Sequence, residues 1–101
     1  MEYVDVFVLE HLLNVVKGLG ASRISIDKIT LVFGNYDLKV MVVADGGLDR
    51  LIRLINGEEN IATKKFALPS GTVSVEIAPV ELTIRRGQPL LELWVSVRWG
   101  R

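Results

Sequence analysis

A chain of 101 residues with twelve basic and twelve acidic side chains has zero formal charge, so no global attraction to nucleic acid or an anionic membrane follows from its composition. It has no cysteine, which excludes disulfides, thiolate nucleophiles and cysteine-held metal centres and fits a reducing, cytoplasmic setting. Its single histidine excludes three-histidine and HExxH metal sites within one chain, although a symmetric oligomer would bring copies together.

The first predicted element is a helix from about Asp5 to Gly18, with a short strand over the β-branched Val4, Val6 and Val8 as the competing reading. Wound at 3.6 residues per turn, it places Glu10, Asn14 and Lys17 on one narrow stripe, with Val8, Leu12, Val15, Val16 and Leu19 opposite. Its apolar arc is too wide for one contact surface, so the helix is expected to meet both its own sheet and a partner chain. The charges within it argue against a membrane span, and it lacks the basic leader of a signal peptide.

SRISIDKITLVFG and DLKVMVVA follow as two strands joined through Gly34, Asn35, Tyr36 and Asp37, a hairpin. In the first of them the alternation slips near Asp27 and Lys28, which predicts a bulge or a separate short strand. LDRLIRLING is then a second helix with Leu48, Leu51, Ile52 and Ile55 on one face and Gly57 as its stop. IATKKFAL, the turn PSG, TVSVEI, APV, ELTI, the turn RRGQP and a final strand complete the chain. A second slip, at Ala78-Pro79, marks a bulge or a break, because proline donates nothing to a ladder. The order αββαβββ, with tight turns between most neighbours, predicts one α+β domain: a mainly antiparallel sheet of about five strands with two helices on one face.

Reactive side chains are few, and no catalytic, metal or cofactor site is expected from them. His11 borders the apolar arc of the first helix and is read as a packed or interface-edge histidine. Asp45 and Asp49 flank the glycines of ADGGLDR, where they suit a strand-to-helix turn better than a phosphate loop or a magnesium site. Glu58-Glu59 reads as a solvated loop, and Ser70 lies in a PSG turn without the context of a serine nucleophile. An enzyme would have to build its site between subunits, with His11, Asp45 and Asp49 as its best residues.

Half of the residues are hydrophobic and the mean hydropathy is +0.36, an excess that a small domain either exposes or covers with another chain, commonly a copy of itself. Trp94 sits among Glu92, Ser96 and Arg98 on the strand face that otherwise reads as polar. With Leu90, Met41, Val43 and Val32 it is expected to form an apolar patch on the sheet face away from the helices, and Leu12 of the first helix marks a second contact. The function expected is therefore a small soluble interaction or structural module that forms a homo-oligomer or meets a protein partner. The alternative is a single-strand nucleic-acid binder in which Trp94, Trp99 and Tyr36 stack on bases while Arg85, Arg86, Arg98 and Arg101 hold phosphates. Few amides beside many aliphatic and charged residues would suit a thermophile.

Overall fold

The computed structural model describes residues 4–32, 35–44 and 47–100, apart from the side chains of residues 4, 5, 22, 27, 31 and 32. Asp45, Arg101 and the side chain of Val32 therefore lie outside the described residues. The elements run α1 (Val4–Gly18), β1 (Ala21–Val32), β2 (Asn35–Ala44), α2 (Leu48–Ile55), β3 (Lys64–Leu68), β4 (Gly71–Arg85) and β5 (Gln88–Gly100). All neighbours in the sheet are antiparallel, in the order β1-β2-β5-β4-β3, and the α+β expectation holds.

Three joins are hairpins between consecutive strands, but β2 meets β5 across a long stretch of chain that holds α2, β3 and β4, Leu38 opposite Val95 and Val42 opposite Leu91. That long-range pair sits at the centre of the sheet. Its inward residues Leu38, Val40 and Val42, with Leu91, Leu93, Val95 and Val97, are buried. Val73, Val75 and Ile77 of β4 continue the floor, and Val8, Leu12, Val16 and Leu19 of α1 with Leu51 and Leu54 of α2 close it from above. Both helices thus lie on one face, and strand alternation of period two brings that face together.

Both slips in alternation are bulges within continuous strands. The register of β1 on β2 shifts between Ile26 and Lys28, and that of β4 on β5 shifts between Pro79 and Glu81. One extra residue restores the apolar side of each strand to the core after its interruption. A further shift between Ala21 and Arg23 has no signal in the alternation. The strand expected over IATKKFAL is shorter, since Ile61, Ala62 and Thr63 precede β3.

In α2 the buried pair is Leu51 and Leu54, while Ile52 is exposed. The expected face of Leu48, Leu51, Ile52 and Ile55 is rotated, because residues three apart over a short helix suffice to touch β4. Glu59 also departs from the solvated-loop reading. Its carboxylate meets Arg50 Nε at 2.9 Å and Arg53 Nε at 3.6 Å, and Arg50 Nη1 donates to the Gly18 carbonyl at 2.7 Å. One arginine thereby satisfies a carbonyl at the end of α1 and ties it to α2 and the loop beyond. At the β3–β4 turn Gly71 has φ 144°, and a Cβ there would stand 2.6 Å from the Gly100 carbonyl oxygen, so only glycine fits.

Candidate functional site

The helices do not cover the sheet evenly. In the row Ile29, Leu38, Val95 and Ile77, exposure falls from 61% at Ile29 to 7%, 0% and 3%. Ile26 is likewise 44% exposed beside the fully buried Val40. The helix-side strip of β1 is therefore open. Above it runs one flank of α1, where the spacing of three and four residues aligns Val6, Leu9 and Leu13, exposed at 58%, 43% and 45%. Leu13, Val16, Ala21 and Ile24, with Lys17 and Arg23 at its border, line a groove of about 300 Å³ where flank and strip meet. Leu12, expected at an interface, is instead wholly buried; the contact-competent residue is its neighbour, because one step along a helix turns a side chain by 100°.

The opposite sheet face carries the tryptophan that stood out in the sequence. Trp94 lies opposite Lys39 and Ala78 and is half-buried, as are Met41, Val43 and Leu90. The small Ala78 leaves the indole room beside the flanking strands. Ion pairs cross the same face. Lys39 Nζ stands 3.3 Å from Glu92 Oε1, and Arg98 Nη2 stands 2.7 Å from Asp37 Oδ1. That second contact lacks hydrogen-bond alignment, since Asp37 Oδ1 has no hydrogen-bond partner, and its attraction is Coulombic. Apolar and charged residues are thus interleaved on this face, and none of its large hydrophobics is among the most exposed.

The residues expected to hold a single strand are separated. Arg85 and Arg86 stand at the β4–β5 turn, while Arg98 and Trp99 stand near the other end of β5, about 34 Å away at strand rise. Trp99 pairs with Val73 on the helix side and Arg98 with Ser74 on the far side, so even these two neighbours point to opposite faces. Arg98 is further engaged, its Nη1 donating to the carbonyls of Tyr36 at 3.2 Å and Val97 at 3.0 Å. The Trp99 backbone N–H donates to Asn35 Oδ1 at 2.8 Å.

His11 lies in a cleft of about 490 Å³ between α1 and β3, with Phe7, Glu10, Asn14, Lys64, Lys65 and Phe66. Its ring meets Phe66 edge-on at 6.4 Å between centroids, and Phe7 and Phe66 stack at 5.6 Å. Nε2 is buried without a hydrogen-bond partner. Burial, and after it the charge of Lys64, hold the imidazole below its ordinary value of 6.5, which keeps it neutral. Asp49 is in the first turn of α2, where a carboxylate complements the helix dipole, and does not line this cleft. Glu10 is the carboxylate that shares the cleft, and among the described residues no carboxylate is hydrogen-bonded to His11 to orient it as a base. Among them no group of three His, Asp or Glu is placed to hold a metal ion, and no helix is long and apolar enough to cross a membrane.

The chain matches no protein family, no curated protein and no solved structure.

Proposed function

We propose that this protein is a structural or interaction module that works as a homodimer in the cytoplasm, joined through the flank of α1 and the uncovered strip of β1. The observation that carries this reading is the row in which a continuous apolar floor ends open at Ile29. Helix flank and floor belong to the same surface, so a two-fold axis lays the α1 of each copy against the open strip of the other, an isologous contact.

The magnitudes support a copy of the chain as occupant. Val6, Leu9, Leu13, Ile26 and Ile29 each keep about half their surface exposed. Covering that half is worth on the order of 4–7 kcal/mol per chain, twice that for a symmetric pair, against an association cost of about 4–15 kcal/mol. The far face, with its interleaved ion pairs, offers less apolar area to a flat partner.

Sedimentation velocity across micromolar to millimolar concentration tests the reading. A mass twice the 11.2 kDa of one chain is expected, reverting to one chain in Leu13→Glu. A wild-type protein that stays at 11.2 kDa at several hundred micromolar would refute dimerisation. A dimer dissolved by Trp94→Glu and untouched by Leu13→Glu would move the contact to the far face.

A further inference from the structure

The far face has a second feature, a cleft that shares only Arg23 with the groove beside Leu13. Pairing across four strands sets Arg23 of β1, Val43 of β2, Leu90 of β5 and Thr83 of β4 in one row. At the end of this row a cleft of about 400 Å³ is lined by Arg23, Val43, Arg85, Arg86, Gln88 and Leu90. Three arginines line it with no carboxylate among the described lining residues, and none of the three joins an ion pair with another described residue. The other described arginines are compensated: Arg50 and Arg53 by Glu59, Arg98 by Asp37.

The turn that supplies two of them is built against its own preference. Arg85 pairs with Gln88, leaving Arg86 and Gly87 as a two-residue hairpin loop with φ 53° and 77°. Positive φ at both central residues is what a type I′ turn requires, and asparagine or glycine is the ordinary first residue. Arg86 is the only positive-φ non-glycine among the described residues. A strained position that holds a charged side chain over a cleft is a reason to look for a ligand.

We propose that this cleft binds a phosphoryl group carried on a small organic molecule. Guanidinium forks from Arg23, Arg85 and Arg86 match phosphate oxygens in planar, bidentate geometry, and Gln88 adds an amide donor. Val43 and Leu90 form the apolar shelf on which the rest of the molecule lies, the usual division of labour in a small-molecule site. A compact anion suits the cleft better than a strand, because Arg98, the next cation along β5, is about 34 Å away and paired with Asp37.

The test is an amide and methyl NMR titration of the full chain with inorganic phosphate, pyrophosphate and phenyl phosphate. Saturable shifts are expected at Arg86, Gly87 and Gln88 for all three anions, and at the methyls of Val43 and Leu90 for phenyl phosphate. Arg23→Ala and Arg86→Gly should each raise Kd at least tenfold, while Lys65→Ala, in the other cleft, should leave it unchanged. Arg86→Gly should also raise Tm by roughly 5 °C as the turn relaxes, so that its loss of affinity is not a loss of fold. No saturable shift up to about 10 mM anion, equal weakening by Lys65→Ala, or an Arg86→Gly protein of wild-type affinity would each overturn the proposal. Inorganic phosphate binding as tightly as phenyl phosphate would overturn the organic shelf. A single-stranded oligonucleotide that binds more tightly than pyrophosphate and is weakened equally by Arg98→Ala and Arg23→Ala would replace it with a nucleic-acid track.

Discussion

Leu12 and Leu13 are chemically identical neighbours, and truncating each to alanine separates the core from the proposed contact. Leu12 is fully buried between α1 and the sheet, whereas Leu13 is 45% exposed. Removing a buried leucine costs about 2–5 kcal/mol, the transfer of the lost methyl and methylene groups plus the cavity they leave. Leu13→Ala in the isolated chain forfeits only its covered half, about 1 kcal/mol. For a domain of this size each kcal/mol moves Tm by roughly 4–8 °C, so Leu12→Ala should melt about two to five times further below wild type than Leu13→Ala, whose own fall is about 4–8 °C when dilute. Thermal and urea denaturation at two protein concentrations a hundredfold apart is the assay. The wild type and Leu12→Ala should gain stability with concentration, as folding coupled to association demands; Leu13→Ala should lose that dependence. Equal destabilisation by the two substitutions at low concentration would refute the assignment of α1's buried face. Equal concentration dependence would refute the contact.

Arg50→Ala removes the link between the Gly18 carbonyl, α2 and Glu59; because the side chain is partly exposed, a loss of about 1 kcal/mol in urea unfolding is expected, with Arg50→Lys no rescue since an ammonium lacks the fork that reaches both partners. Gly71→Ala forces a Cβ to 2.6 Å from a backbone oxygen at φ 144°, and should cost about 2–3 kcal/mol, read as a lowered Tm with perturbed amides at Thr72 and Gly100. The half-buried His11 has a folded pKa below its ordinary 6.5, through desolvation and then the charge of Lys64. The unfolded chain then binds the extra proton first, so the stability His11 contributes is complete above 6.5 and is lost as pH falls through that value to the folded pKa. Urea midpoints should fall between pH 7.5 and 5.5, and His11→Leu should flatten that part of the profile while Glu10, Lys64 and Lys65 remain around the cleft.

The parts of this fold written locally were readable in the chain. Gly57 marked the end of α2, and the displaced alternation at Asp27-Lys28 and Ala78-Pro79 marked both bulges, because a strand's two-residue period registers any insertion. The strand order was not readable. Turn residues announce hairpins, but nothing between Ala44 and Gln88 announces that β2 and β5 are neighbours. The same limit hid the arginine cleft, since Arg23 reaches Arg85 and Arg86 only through that join. A local signal did exist in Arg86-Gly87, an arginine where a two-residue hairpin favours asparagine. The α1 flank was visible as an apolar arc too wide for one contact. Which side of it remained open depended on where the sheet stops, a property of the assembled layer.

The irregularities of β1 bear on whether sheets of neighbouring molecules can join edge to edge. This strand is a twelve-residue rim of the sheet, long enough to template an endless ribbon of copies joined backbone to backbone. Its register is broken twice, at Ala21/Arg23 and at Ile26/Lys28, so no straight run of unpaired amides is available to an incoming strand. On the opposite rim the five-residue β3 pairs only with residues 71–75 of β4, and the edge of β4 beyond it is interrupted by Pro79 and the register shift between Pro79 and Glu81. Bulges and a proline thus break both margins of the sheet, which disfavours the edge-to-edge stacking of chains into an endless ribbon.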